Sequence, residues 1–424
     1  VTARRFRLGL GAITALGLAL RVAWVQWATR QPRSFFLDPS RYLGYAQQIA
    51  DGNGMVEGLT GDPTAYYPPG YPWFLGVVVW ASRPFTDEPW MAGAMVQAVL
   101  GAVSIVLVAY VTRRLAGRTA ALVAAAVFAL YPNLIFHTGV LLGETLYNTL
   151  FLAFLAVVLS RPWGPMFGRP RVFAAGVLLG SAVLVRPISL AVIPVVVLCW
   201  VWAGKDWSYL WRWGAVLVAG VAVCIVPWTI RNAVRMEAFV PISTNTGDNL
   251  CIGHGDGATG AFQPLEYCDV PYPFMEGKAS ELAADEAKQR LAREGFVRNI
   301  EREPYLLWAR TYYTWIRDGD HDALFSVQEF RQNRWMDRTT ESRLIRVADA
   351  YYWAVGLAGV VGLVALVRRR EPEGLLLVGC AVMTALVPLA FFGDARFKVP
   401  VIPLLIIAAA CLVRRRDPDP LAHR

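Results

Sequence analysis

The stretch "FLDPSRYLGYAQQIADGNG" carries a carboxylate near its start, Asp38, with Tyr42 four residues on. A carboxylate held beside a reacting hydroxyl can take its proton. It can equally cap a helix, and Asp38 before Pro39 has that form, with a helix running on toward Ala50. Further along, "AYYPPGYPWFLG" offers Tyr67 and Tyr71 as hydroxyls able to position a substrate, and "HTGVLLGETLY" offers Glu144. Glu144 would either orient a substrate hydroxyl or complement a helix dipole. Four cations complete the set: Arg186 in "LVRPISL", Arg231 in "PWTIRN", and Arg396 and Lys398 in "GDARFKVPVIPLL". A guanidinium fork matches phosphate geometry, so a phosphate site is one reading. Snorkelling of each side chain toward lipid headgroups is the other.

These residues need elements to position them, and composition says which kind. Of 424 residues 56% are hydrophobic and 17% are charged. A soluble domain carries roughly a quarter charged residues and lacks repeated apolar runs of spanning length. The chain reads as an all-α polytopic membrane protein with about ten transmembrane helices. The expected spans are Leu8–Thr29, Trp90–Arg113, Thr119–Phe136, Gly139–Ser160, Arg171–Val185, Ile188–Ala203, Leu210–Ile230, Tyr351–Val367, Gly374–Phe392 and Val399–Val413. "VRPISL" marks a proline-broken turn between two of them. Tyr67–Ala81 has too short an apolar part to span and is expected to lie at the interface. The first run is expected to be an uncleaved helix rather than a signal peptide.

Orientation follows from the basic clusters. "ARRFR", "RRLAGR" at Arg113–Arg118, "RPWGPMFGRPR" at Arg161–Arg171, Lys205 with Arg212, Arg368–Arg370 and Arg414–Arg416 all fall on one side of a ten-span bundle. That side should be the cytoplasm, and the same pattern accounts for the charge of +9 without nucleic-acid binding. Two large extracytoplasmic loops result, 30–89 and 231–350, the first carrying Asp38. The expected division is an N-terminal transmembrane module 1–230, the external segment 231–350 and C-terminal helices with a cytoplasmic tail 351–424. Arginine far outnumbers lysine and the chain opens on Val, as a GTG start would be written. Both point to a G+C-rich bacterium, hence a multi-pass plasma-membrane protein with its site outside.

Within the second loop, Ala279–Pro304 reads as an amphipathic helix with apolar positions Leu282, Leu291 and Ile300, and Tyr305–Arg317 as an interfacial aromatic segment. Cys251 and Cys268 share this loop, where an oxidising compartment permits a disulfide. "GDGATG" fits the dinucleotide pattern only formally, since no strand precedes it, and the four histidines show no metal-ligand spacing.

Taken in order, "DPSRYLGYAQQIADGNG", "AYYPPGYPWFLG", "PWTIRNAVRMEAFVPISTNTGDNLCIGHG" and "GDARFKVPVIPLL" resemble the GT-C membrane glycosyltransferases. The likeness is to the protein O-mannosyltransferase and lipid A aminoarabinose transferase-like group. It covers the layout of most of the chain, and the last element is similar to that group's "RYRLP"-like motif, with Phe397 and Lys398 as departures. The resemblance implies a GT-C bundle and a polyprenyl-phosphate-linked sugar donor drawn from the surrounding lipids. It also implies an extracytoplasmic acceptor (protein, lipid or glycan) and Asp38 as general base in an inverting transfer. Arg186, Arg231, Arg396 and Lys398 would then hold the donor phosphate. Some relatives place a second acidic residue near the first; none adjoins Asp38, so no metal ligands are assigned and a divalent cation stays open. The competing function is a transporter or lipid flippase of envelope precursors. Mid-depth charges, which such a pathway uses, are almost absent from the apolar runs.

Overall fold

The computed structural model describes residues 1–32, 38–160, 168–269, 278–318 and 336–413. Residues 161–167 of one arginine cluster and the cluster Arg414–Arg416 lie outside them.

Helix α1 (Ala3–Ala28) is followed by α2 (Asp38–Ala50), α3 (Gly70–Ser82) and the long α4 (Pro89–Ala129). Gly117 inside α4 has φ 87° and ψ −178°, a conformation that only glycine adopts without strain. Its consequence appears at Gly17 of α1, where an added Cβ would meet both Ile105 and Ala129. In a straight helix residues that far apart would be separated by about 36 Å. The chain therefore doubles back at Gly117, and α4 supplies two antiparallel arms, the pair expected on either side of "RRLAGR". Gly117→Ala should destabilise the protein by about 1–3 kcal/mol, read as a lowered thermal unfolding midpoint in detergent.

Next come α5 (Pro132–Phe136), α6 (Glu144–Val158) and α7 (Arg169–Val185). A 3₁₀ turn at Pro187–Ala191, where the proline break is expected, leads to α8 (Val192–Trp202) and α9 (Trp207–Arg235). Helices α7 and α9 meet backbone to backbone at Gly176 and Gly220, where any Cβ would collide with main-chain atoms. Small residues permit this approach between apolar helices. The outer segment holds α10 (Thr246–His254), α11 (Lys278–Arg298) and α12 (Glu303–Trp315). The chain closes with α13 (Arg338–Arg369), α14 (Pro372–Ala390) and α15 (Ile402–Ala410), the last almost wholly buried in the bundle.

Five described helices, α1, α4, α9, α13 and α14, are long and apolar enough to cross a membrane, and a sixth counts if the pair 132–139 and 144–158, bent by 119°, is one span. The all-helical membrane class holds at this level, but ten spans do not follow. Helix α8, with 11 residues, falls below the roughly 20 that a bilayer requires, and α7, with 17, stands at the short end of the spanning range, because proline breaks the run they share. Helix α3 is likewise short; Trp73, Val77 and Trp80 form an exposed stripe on it while Tyr71, Leu75 and Val79 are buried. That division suits a helix lying in an interface.

The amphipathic helix expected at Ala279–Pro304 ends at Arg298, and two of its expected apolar positions, Leu282 and Leu291, pack partly buried against apolar clusters. The buried stripe of α11 is Glu281, Ala284, Lys288, Ala292 and Gly295, whereas Ile300 is 50% exposed. Small residues win this face because α10 sits so close: a Cβ on Gly247 would lie 2.4 Å from the Asp285 carbonyl oxygen, and one on Gly295 2.5 Å from that of His254. Cys251 and Cys268 are bonded to each other and pin α10 to the segment that follows it. Arg310 of α12, fully buried, donates to Glu303, to the Gly253 carbonyl at 2.8 Å and to the Leu389 carbonyl at 3.0 Å, stitching the outer segment to the end of α14.

Candidate active site

A cavity of about 1100 Å³ opens between the bundle and the outer segment. Helices α7 and α14 follow basic residues at their starts, Arg169 with Arg171 and Arg368–Arg370. Both then deliver cavity residues at their far ends, Val185 with Arg186 and Val387 with Phe391. The cavity thus lies at the end of the bundle away from those arginines.

Asp38, at the start of α2, lines the cavity. Its Oδ1 accepts the Tyr67 hydroxyl at 2.5 Å and its Oδ2 accepts Arg396 Nη1 at 2.5 Å. Burial first, and the Asp38 carboxylate next, push the Tyr67 hydroxyl well above the usual phenol range, so Tyr67 stays a donor. Tyr42 packs its ring 4.8 Å from that of Tyr67 and 5.0 Å from that of Tyr71. Tyr71 in turn donates to Gln97 Oε1 at 2.9 Å, and Gln97 donates to the Val140 carbonyl at 2.7 Å. The three tyrosines therefore brace Asp38 against α4 and the segment leading into α6.

Glu144, the first residue of α6, is 1% exposed and accepts through Oε1 from both Arg186 Nη2 and Arg396 Nε. Its Oε2 is buried and has no hydrogen-bond partner among the described residues. Arg186 follows α7, and Arg396 lies in the 3₁₀ turn Ala395–Lys398, whose backbone is capped by Asp394. One carboxylate thus aligns two guanidiniums at the cavity wall, and one of those guanidiniums also touches Asp38. Each guanidinium has five N–H donors, so an anion can be bound without giving up these contacts.

The other two cations go elsewhere. Lys398 is fully buried and spends its ammonium on the carbonyls of Thr314 at 3.1 Å, Ala395 at 3.3 Å and Arg317, with Asp318 Oδ1 at 3.5 Å. Arg231 donates to the carbonyls of Thr64 at 2.9 Å and Met55 at 2.5 Å, tying the end of α9 to the first polar connection. Neither is among the residues lining the cavity. Hydropathy places all four cations near helix ends but does not say which way each faces.

Several site residues escape sequence reasoning. Arg41 lies over the rings of Tyr66 at 4.5 Å and Tyr67 at 5.0 Å. Tyr66 donates to Asp248 Oδ2 at 2.8 Å, and Lys288 Nζ donates to Asp248 Oδ1 at 2.7 Å. Consecutive tyrosines of "AYYPP" thus reach carboxylates on two walls of the cavity. The doubled tyrosine was the one available signal. Among the described residues no three His, Cys, Asp or Glu side chains come together as a metal site.

The two polar connections are locked together by Glu281, which accepts from Thr64 Oγ1 at 2.7 Å, Ala65 N at 3.0 Å and Thr244 Oγ1 at 2.6 Å. Burial raises its carboxyl above the ordinary value of 4.5. A folded-state value above the unfolded one means that its contribution to stability is complete below 4.5 and fades as pH rises through the raised value. Glu281→Gln keeps the shape without the charge. It should remove this pH dependence, read as amide-exchange protection around Thr244 that no longer weakens from acid to neutral pH.

No family model and no curated protein sequence matches the chain. Solved structures do. The fold is similar to about half of an archaeal oligosaccharyltransferase. The Archaeoglobus fulgidus enzyme in complex with Zn and sulfate aligns with a TM-score of 0.55 at 15% identity, covering 94% of this chain and 48% of the other. The same enzyme tethered to an acceptor peptide containing the NVT sequon gives 0.55 at 14% identity, covering 95% and 49%. With an inhibitory peptide and a dolichol-phosphate it gives 0.53 at 16%, covering 95% and 50%. The chain spans about half the length of these neighbours. At such identity the likeness concerns the fold, and it supports the GT-C resemblance at that level without reaching the mannosyltransferase or aminoarabinose transferase subgroup.

Proposed function

We propose that the protein is a membrane glycosyltransferase that moves a sugar from a polyprenyl-phosphate donor to an extracytoplasmic acceptor. The observation that carries this reading is the meeting of Asp38, Arg186 and Arg396 at one cavity, with Glu144 holding both guanidiniums. The oligosaccharyltransferase neighbour in complex with a dolichol-phosphate supports a lipid-phosphate donor for this fold. In the proposed reaction the acceptor hydroxyl gives its proton to Asp38 as its oxygen bonds to the anomeric carbon. The bond from that carbon to the phosphate oxygen breaks, and the phosphate leaves with the electron pair against Arg186 and Arg396. Preorganised cations at the site of developing charge are worth most where water is excluded. Asp38 is taken as the proton acceptor because its side chain is 31% exposed at the cavity beside Arg396, whereas that of Glu144 is 1% exposed behind two arginines; a single base favours inversion. Apolar lining from Leu142, Val185, Ile188 and Val387 suits the first isoprene units. Arg231 and Lys398 serve as structural ties in this reading. The mannosyltransferase or aminoarabinose transferase character, the bacterial plasma membrane and the outward-facing cavity belong to the proposal.

The test is transfer by the full chain in nanodiscs, with labelled polyprenyl-phosphate mannose, glucose, arabinose and aminoarabinose offered in parallel against membrane extracts as acceptor. A new glycosidic bond of inverted configuration is expected from one donor. Translocation of an intact lipid-linked sugar in sealed vesicles, with no bond formed, would replace this reading by that of a carrier.

A further inference from the structure

The cavity, about 1100 Å³, stands at the top of the roughly 300–1,000 Å³ range of small-ligand sites. Its inner wall is accounted for by the donor; its outer wall is not. That wall is one face of α10 and its N-terminal flank, where Asn245, Asp248, Asn249 and Ile252 recur at spacings of three and four residues. The opposite face of α10, with Gly247 and Cys251, is buried against α11 and the disulfide partner. The wall is therefore held rigidly, and its polar groups are aimed at the cavity by the rotation of the helix.

We infer that this wall is an acceptor subsite for a neutral carbohydrate, whose hydroxyl groups are bound by Asn245, Asp248, Asn249 and Lys288. The inference rests on the glycosyltransferase reading for its purpose but not for its chemistry. A phosphate offers only acceptors in its recognition and an amine only donors, whereas each sugar hydroxyl needs both. The wall supplies both. The Asp248 carboxylate has about four acceptor positions, of which Tyr66 and Lys288 take two. The Lys288 ammonium has three donors and gives one to Asp248; each carboxamide carries donors and acceptors and spends one position within the protein, Asn245 Oδ1 accepting from Ser243 and Asn249 Nδ2 donating to the Asn245 carbonyl, both at 3.0 Å. Phe262, at the rim and 56% exposed, adds an apolar face for ring C–H groups.

Charge and backbone argue against the other acceptors. Asp248, Glu266 and Asp269 line this side with Lys288 as its cation, so an anionic phosphoglycolipid would meet repulsion. The wall is a helix and offers no strand edge on which an extended peptide could align.

The experiment needs no donor and no turnover, so it reads this subsite whether or not the transferase reading survives. The full chain in nanodiscs is applied to an array of neutral, amino and acidic glycans and to an array of Ser/Thr peptides, and bound probes are confirmed by saturation-transfer NMR. Neutral glycans are expected to bind, and Asn245→Ala and Asn249→Ala are each expected to weaken that binding about tenfold, the loss of one or two hydrogen bonds. Unchanged thermal unfolding of both variants would show that the wall still stands. Preferential capture of peptides or acidic glycans, no glycan binding at all, or neutral-glycan binding indifferent to both substitutions would each overturn the inference.

Discussion

Asp38→Asn is expected to lower transfer by about 10²–10⁴-fold, the range for loss of a general base, while polyprenyl-phosphate binding stays near that of the wild type. The asparagine side chain keeps an acceptor oxygen for the Tyr67 hydroxyl, so α2 should remain seated and the loss should fall on turnover. The Arg396 contact is the sensitive point, because one of its acceptors becomes an amide. Measuring donor affinity and single-turnover rate separately divides the two effects. A variant that transfers within a few-fold of wild type would remove Asp38 from the chemistry. It would leave Asp38 as the helix-starting residue that its position before Pro39 also allows.

Glu144→Gln is expected to be the most damaging single change to stability among the site residues. The carboxylate is buried and bonded to two guanidiniums, so neutralising it removes the charge that Arg186 and Arg396 share and leaves Asp38, on Arg396, to offset both. Removing one partner of a buried ion pair costs about 3–5 kcal/mol, because the charge left behind is uncompensated. The side-chain exposure of 17% for Arg186 and 21% for Arg396 tempers this, since both can turn partly toward water. The expected outcome is a clear fall in the thermal midpoint in detergent, with partial recovery in Glu144→Asp, which restores charge but shortens reach. If Glu144→Gln unfolds with wild-type stability, the arginines are not held by this residue.

Much of the framework was legible in the sequence for simple reasons. Apolar runs and proline mark helices and their breaks, so the turn after Arg186 falls where "VRPISL" puts it, and the reversal at Gly117 falls inside "RRLAGR". The number of spans rests on how helices are divided: five described helices are long and apolar enough to cross, and one of these, α4, doubles back at Gly117. Asp38, Tyr42, Tyr67, Tyr71, Glu144, Arg186 and Arg396 come together because each sits near a helix end at one level of the bundle. Depth is encoded in one dimension. Rotation is not, which is why Lys398 and Arg231 turn to backbone carbonyls instead. The face of α10 that lines the cavity is settled by glycine and alanine contacts with α11, between residues some forty positions apart. Only the folded chain reveals that pairing.

The neighbouring tyrosines bear on how such a protein can diversify. Residues 66 and 67 answer to carboxylates on different walls, and Pro68 and Pro69 follow with little freedom to absorb a shift. The two halves of the chamber are thus registered to each other at one dipeptide, next to the Glu281 lock at Thr64 and Ala65. Exchanging the outer segment for that of a distant homologue would succeed only if the graft kept this spacing. Changes of specificity are therefore channelled into side-chain swaps along α10, and wholesale replacement of loops is disfavoured.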